Sequence, residues 1–593
     1  MSEAEGMSKT YRLQVGLLPL ADAPAELYLR GADSFTLAPR ARLDGNTYFN
    51  AFYLDYWRRY ASLSSLGLSL DLDGDAFLRI IGEDADGQAV TLAMQSLSAG
   101  QNTVWLDPSC LAPDCALGRL YFDLTAKTDL SIGDIAWISD DAPRREVSLS
   151  VGLCTFNRED HLAVTLDRLE QYASRTPAIM RIFVVNQGEA FGDAKVLTAL
   201  KNPVFQLIEQ ENFGGCGGFN RTMIEAVNAA PAASHHLLMD DDILLDPRML
   251  SRAARFLEYT KDPIALGGSM LELGRKTMLH EAGARLESFW HVVSVERGAN
   301  LADANALEVF ATVDPVHYNA WWFCVIPIET IRRLSFSPPL FLHFDDIEYG
   351  CRMLEAGVET VALPGVAVWH ETFAYKQSDW ILYYDFRNRL ISATLHPDLT
   401  WRPDALFVLG FMMNFILIHR YRAASLAALA LRDYLKGPAS LGPDPLSRHD
   451  AVQAFLARFP VPEERRNIDL DDVLPGSADM PPGSILATVR VFFAHFFLNL
   501  FRVGLKKPRL FHGATHPMVV GNAPVLMAKS VDSTVCSYYP PNRWKLVSLT
   551  LQALILSAKF LIVHRWVVAR WRAATPDLTS EAGWRAIFRS RQC

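Results

Sequence analysis

What this 593-residue chain lacks narrows it first. Residues 1–10 hold no basic segment followed by an apolar stretch, so no secretory signal is expected. Eight cysteines are scattered along the chain, and Cys110 and Cys115 form the only close pair. With no second pair and no histidine cluster at zinc spacing, neither a structural zinc site nor a disulfide framework is expected. Reduced thiols in a cytosolic setting fit better. No stretch reaches about eighteen uncharged apolar residues, the length a membrane span needs. Ala405 to Ile418 stops at His419-Arg420, Ile485 to Leu505 is rich in Phe and Leu, and Lys559 interrupts Leu546 to Val563. A spanning helix is therefore not expected. A net charge of −9 argues against nucleic acid as a partner. The charge is uneven, however, with nine Lys/Arg against two acidic residues from Arg543 onward. No internal repeat is visible.

What is present reads as three domains. Half of the residues are apolar and 21% are charged, which is globular composition, and the length exceeds a single core. Over residues 1–145, short strands and turns predict a β-sandwich. Leu68, Leu70 and Leu72 alternate with polar residues, Gly118 to Leu124 alternates too, and Asp73-Gly74 reads as a hairpin turn. Asp71, Asp73 and Asp75 fail as a calcium loop, because Ala76 stands at the glycine position and Gly82 at the closing glutamate. Tyr48, Phe49, Phe52, Tyr56 and Trp57 fit either a sugar platform or, more commonly for large aromatics, core.

Residues 146–400 change grammar. Val147 to Leu153, Ile182 to Val185 and Val204 to Ile208 read as buried strands separated by helical segments, which predicts a doubly wound, mostly parallel α/β sheet. The glycines Gly214, Gly215, Gly217 and Gly218 do not match a dinucleotide fingerprint and read as a loop, with a helix from Phe219. Asp240-Asp241-Asp242 follows Leu237-Leu238-Met239 directly. That sets carboxylates at the carboxyl end of a strand, where open α/β sheets bind ligands. A turn or cap explains one such cluster. It does not explain His235-His236 just before, Asp345-Asp346-Ile347-Glu348 further on, and Trp369-His370-Glu371 after that.

Asp240 and Asp242 offer oxygen ligands to Mg²⁺ or Mn²⁺, and an imidazole from His370 would favour Mn²⁺. Beside a glycine-rich segment, such an ion would neutralise a diphosphate leaving group. Asp345 reads as a helix cap. Its neighbour could take a proton from an attacking hydroxyl. Trp321 and Trp322 suit either a face for sugar C–H groups or a hydrophobic wall.

Cys154-Thr155-Phe156-Asn157-Arg158, Asn212-Phe213-Gly214-Gly215, the Asp240 triplet, Trp321-Trp322, Asp345-Asp346-Ile347-Glu348-Tyr349 and Trp369-His370 occur in the order seen in one family. The chain resembles the family 2 inverting glycosyltransferases of the GT-A fold. More narrowly, it is similar to the polymerising galactofuranosyltransferases that build the galactan of arabinogalactan. The resemblance takes in Asn46 to Phe52 and Tyr56-Trp57-Arg58-Arg59 of the first domain, and the helical C-terminus. It implies a GT-A core behind the β-sandwich, and a helical, membrane-peripheral region over residues 401–593. It implies Asp240, Asp242 and His370 as metal ligands, Asp346 as catalytic base and Asp345 shaping the acceptor site. Arg158, Asn186, Asn212, Gly214 and Asp241 would bind the donor nucleotide, and Trp322, Trp321 and His280 the sugars. The implied reaction moves galactofuranose from UDP-galactofuranose to a lipid-linked galactan with alternating β-(1→5) and β-(1→6) linkages. A homotetramer on the cytoplasmic face of the membrane is implied with it. Two alternatives stand beside this: a transferase of another UDP- or dTDP-sugar such as rhamnose, and a non-catalytic carbohydrate-binding scaffold.

Near the C-terminus, Thr488, His495, Asn499, Arg502 and Lys506 recur at helical spacing, leaving Phe492, Phe493, Phe496, Phe497 and Leu500 together. Such a helix could lie in a membrane interface. Trp544, Trp566, Trp571 and Trp584, interleaved with arginines, suit either interfacial anchors or a helical core packed on the transferase domain or a neighbouring subunit.

Overall fold

Alternation at Gly67–Leu72 buries Leu68, Leu70 and Leu72 on one face and builds the first sheet of a sandwich. In the computed structural model, residues 9–589 are described except 32–34, 175, 177, 289–290, 373–378, 400–402, 443, 470–472, 476–484, 502, 504–506, 513–516, 521–522 and 530–534. One sheet orders Tyr11–Val15, Leu130–Ser139, Gly67–Leu72 and Gly100–Trp105, with Thr36–Leu37 on Leu130–Ser139. The other orders Arg42–Asp44, Leu117–Ala126, Ala76–Asp84 and Ala89–Leu97. The Asp73-Gly74 turn is not a hairpin. The strands on its two sides belong to different sheets, so it carries the chain across the sandwich.

The aromatic stretch of this domain is core rather than sugar platform. Tyr48, Phe49, Phe52, Tyr53 and Trp57 are all buried. Trp57 stacks on Phe52 at 5.3 Å and meets Phe256 edge-on at 4.9 Å. The Tyr48 hydroxyl donates to Ser269 Oγ at 3.0 Å. Arg252, buried on the helix Arg248–Tyr259, donates to the carbonyls of Phe49 (2.7 Å), Gly365 (2.8 Å) and Val15 (3.2 Å). The sandwich and the second domain therefore share one apolar core.

The second domain is built on strands β1 (Leu149–Thr155), β2 (Ile179–Asn186), β3 (Phe205–Glu209), β4 (His235–Asp240), β5 (Leu244–Leu245), β6 (Ala265–Glu272), β7 (Arg275–Glu281), β8 (Phe323–Pro327) and β9 (Thr360–His370). Their order is β3-β2-β1-β4-β8-β6-β9-β5, with β7 paired to β6. The β1/β2, β1/β4, β2/β3 and β6/β9 pairs are parallel, as the strand-helix alternation predicts. The remaining pairs, β4/β8, β6/β8, β6/β7 and β5/β9, are antiparallel, so the sheet is mixed on the β8 side. Helices α1 (Glu159–Ala173), α2 (Gly214–Asn228), α3 (Asp345–Glu355) and α4 (Ile381–Leu395) position the site. The glycine run read as a loop is the first turn and a half of α2. Packing overrides propensity there: a Cβ on Gly218 would lie 2.0 Å from Cys154 Sγ, and one on Gly217 2.3 Å from Phe213 Cβ.

The third domain contains α5 (Ala405–Leu417), α6 (Tyr421–Lys436), α7 (Ile485–Leu500), α8 (Arg543–Leu578) and α9 (Glu581–Arg589). It also holds a five-stranded sheet between Glu463 and Tyr539 that the helical reading missed. Lys559 does not break α8, which runs unbroken for 36 residues and is long and apolar enough to cross a membrane by length and composition. One face packs against α4, α5 and α6 through Leu546, Ala553, Phe560, Val567 and Trp571. Of the expected anchors, Trp544 and Trp566 are exposed. Trp571 and Trp584 are buried instead, their indole N–H groups donating to Tyr434 O at 3.1 Å and Ser337 O at 2.9 Å. On α7, Phe493 and Phe497 are exposed, while Phe492, Phe496 and Leu500 pack on the core and Asn499 is buried. The side chain of Thr488, together with Arg502 and Lys506, lies outside the described residues.

Candidate active site

Strand register gathers the carboxylates. Asp240 is the last residue of β4, next to Cys154 of β1. The chain then crosses to the far side of the sheet, where β5 pairs Leu244 with Trp369. That crossing brings Asp242 to His370, the last residue of β9. His370 Nε2 lies 2.9 Å from Asp242 Oδ1 and 4.0 Å from Asp240 Oδ2. Ligand atoms of Asp240, Asp242 and His370 all fall within 4.8 Å of one another. Burial opposes a charge on His370, but the Asp242 hydrogen bond and both carboxylates outweigh it and raise its pKa. Asp240 is raised by burial first, with Asp242, Asp241 and Asp346 adding repulsion and His370 opposing. Two carboxylates and an imidazole, crowded and partly desolvated, fit a divalent metal ion. Arg158, at the start of α1, ion-pairs with the other Asp242 oxygen. Asp241 is turned away into the protein, with one carboxylate oxygen unpartnered among the described residues, and burial pushes it up to about 6.

His235 and His236 do not belong to this site. They lie at the opposite end of β4, where His236 bridges Ser150 Oγ (2.9 Å) and Thr222 Oγ1 (3.0 Å) as a satisfied core histidine. Burial depresses His236 to about 3, which keeps it neutral.

Asp345 and Asp346 open α3. Asp345 is not the cap expected: the capping position is Phe344, which makes no side-chain cap bond. Asp346 Oδ1 instead accepts from Ile347 N at 2.8 Å. Burial raises both carboxyls, and Asp346 lies near enough to Asp240 for its charge to be felt there. A carboxylate destabilised in this way is a better proton acceptor than one in water. Glu281, at the end of β7, escaped the sequence reading. It is buried, accepts from Ser294 Oγ, and is pushed up to about 7 by burial and by the charge of Asp346. Its signal was present: an acidic residue closing Met278-Leu279-His280 repeats the pattern of Asp240. His280 beside it is buried, which lowers its pKa, and feels His370 and Glu272.

Both tryptophans are buried. Trp321 is held between Phe219 (5.5 Å) and Tyr349 (6.1 Å), which makes it wall rather than platform. Trp322 anchors its indole N–H on Gly268 O at 3.2 Å.

At the β1–β3 end, Asn186 is committed to Glu189 O (2.8 Å) and Glu209 (2.9 Å). Asn212 Oδ1 accepts from Gly214 N at 2.9 Å. Gln187, which the sequence reading passed over, ties this region together. It donates to Gly214 O at 2.9 Å and accepts from Phe213 N at 3.0 Å. Gly214 has φ +72°, and a Cβ there would lie 2.0 Å from Phe341 O. Gly214→Ala is therefore expected to cost roughly 1–3 kcal/mol in urea unfolding, through strain and overpacking together.

Comparison with known proteins follows the same division of the chain. Residues 22–140 match the model of the galactofuranosyltransferase 2 N-terminal domain, and residues 145–391 match that of a glycosyltransferase-like family 2 domain. The chain is a glycosyltransferase whose second domain is similar to those of family 2. The galactofuranosyltransferase GlfT2 of Mycolicibacterium smegmatis is 27% identical over 596 residues, spanning 94% of this chain and 90% of that protein. GlfT2 of Mycobacterium tuberculosis is 27% identical over 479 residues, 76% of this chain and 72% of its own. Among solved structures, a mannosyltransferase from Pyrobaculum calidifontis, in complex with GDP-Man and Mn²⁺, superposes with a TM-score of 0.29 at 16% identity. That match covers 54% of this chain and 84% of the other. The transferase has a GT-A core, and its relatives by sequence are galactofuranosyltransferases.

Proposed function

We propose that this transferase moves galactofuranose from UDP-galactofuranose to a lipid-linked galactan, in a metal-dependent displacement that inverts the anomeric carbon. The observation that carries the reading is the gathering of Asp346 and the Asp240–Asp242–His370 cluster beside the carboxyl ends of β4 and β9. Asp346 takes the proton of the acceptor hydroxyl as its oxygen attacks the anomeric carbon. The bond to the diphosphate oxygen breaks, and UDP leaves with the electron pair. Asp240, Asp242 and His370 would hold the ion, Mn²⁺ or Mg²⁺, which when bound neutralises charge on the diphosphate. Arg158 adds a fixed cation beside Asp242. One base and one displacement account for inversion, with no covalent sugar intermediate.

A donor screen tests this directly. UDP release from UDP-galactofuranose with a short lipid-linked acceptor should exceed that from other donors, dTDP-rhamnose included. Mass spectrometry should find several added units, with β-(1→5) and β-(1→6) linkages alternating. Preference for dTDP-rhamnose would assign a rhamnosyltransferase, and no release from any donor would leave a binding scaffold.

The protein works at the cytoplasmic face of the membrane as a peripheral homotetramer. Supporting this is an apolar surface on α8, where Leu551, Ile555, Leu561, Ile562 and Trp566 are exposed, close to the exposed Phe493 and Phe497 of α7. Four copies would gather these helices on one face beside Arg543, Arg565 and Arg570, suited to anionic headgroups. High salt or alkaline wash should release the protein from membranes. Retention after both would mean that α8 spans the bilayer, and no liposome binding at low salt would remove the membrane role.

A further inference from the structure

The segment 338–344, which leads into Asp345-Asp346, is held in an unfavourable shape. Phe341, His343 and Phe344 all have left-handed backbones, with φ of 73°, 63° and 72°. Residues bearing a Cβ avoid that region. Three within four positions persist only where surrounding contacts over-determine them.

Those contacts come from two helices. From α4, Asn388 Nδ2 donates to the carbonyls of Leu342 (2.7 Å), His343 (2.9 Å) and Leu340 (3.2 Å). Arg387 Nη2 donates to Leu340 O at 2.7 Å, and Arg387 Nε fixes the amide by donating to Asn388 Oδ1 at 3.0 Å. Both side chains are buried, and the guanidinium lies against the rings of Tyr383 and Tyr384. From α2, Cys216 N donates to Phe341 O at 3.2 Å. The segment is thus clamped between the helix that begins at Gly214 and the helix that follows β9.

We propose that Asn388 is a positioning residue for Asp346: its amide holds the left-handed segment from which α3 springs, and so fixes where the base meets the acceptor hydroxyl. A primary amide suits the task because it presents two N–H donors to clustered carbonyls while its oxygen receives the arginine. The proposal rests on the reading of Asp346 as base. Asp240 and His370 end strands β4 and β9, and Asp242 lies between β4 and β5, so relaxing this segment leaves the ion-binding residues in place.

The test is a double-mutant cycle with kinetics split into kcat and donor affinity. Asn388→Ala should lower transfer kcat about 10- to 100-fold, the scale of a small misplacement of a reacting group. UDP affinity in the presence of Mn²⁺, by calorimetry, should stay within about threefold of wild type. Glycine tolerates positive φ, so His343→Gly should lessen dependence on the clamp. The kcat penalty of Asn388→Ala should then shrink several-fold in the His343→Gly background. An equal penalty in both backgrounds, or a loss confined to donor affinity, overturns the proposal. Should Asn388→Ala fail to fold, Asn388→Ser keeps one donor and is read in the same cycle. Asp346→Asn measured alongside separates the two readings. If it transfers normally, the base assignment has failed; if it is dead while the Asn388 variants are unimpaired, only the positioning role has.

Discussion

Asp346→Asn should remove roughly two to four orders of magnitude from transfer while donor affinity stays near wild type, the range expected for loss of a general base. The substitution keeps size and hydrogen bonding, so Ile347 N retains its acceptor and the start of α3 is undisturbed. What goes is the ability to take a proton. The same assignment fixes a sign for pH dependence. Burial holds the Asp345–Asp346 pair above the ordinary carboxylate range, and the base works only ionised. The rate should rise with pH through that raised value and fall on the acid side. An Asn variant with normal transfer would assign the proton to another group, and Glu281 would be the first candidate.

The second large effect is loss of the metal ligands. Asp240→Ala and Asp242→Ala should each cost at least about two orders of magnitude, as removal of charge stabilisation at a leaving group commonly does. Far-UV circular dichroism should be unchanged. Excess chelator should reproduce the loss, and Mn²⁺ should restore the wild type but neither variant. The two variants need not behave alike, because Asp242 also holds Arg158 and His370, so its removal releases both side chains at once. Full activity in chelator would end the metal reading.

The transferase core was readable because polar groups appended to apolar segments leave a local signature, and three of them, at Asp240, Asp345-Asp346 and His370, occur in order. Features set by partners distant in sequence were not readable. Asp73-Gly74 has turn chemistry whether it closes a hairpin or crosses between sheets, and only pairing with Leu130–Ser139 or Leu117–Ala126 tells which. The glycines of α2 read as loop because what demands them there is close approach by Cys154 Sγ, Phe213 Cβ and Phe341 O, set by the fold and not by the local sequence. The C-terminal sheet hid because its strands are two to five residues long, and Glu463–Arg466 has no apolar alternation at all. Trp571 and Trp584 carried the composition of interfacial anchors; their indole N–H groups had found carbonyls inside the fold.

Arg252 reaches three carbonyls in both of the first two domains, and the Tyr48–Ser269 bond crosses the same seam. A seam of that kind ties melting of the sandwich to melting of the catalytic sheet. Calorimetry should record them as one cooperative transition rather than two, and a chain truncated to begin near residue 146 should be insoluble. The sandwich could then drift in evolution only in step with the strands it covers, unlike a carbohydrate module exchanged freely between enzymes.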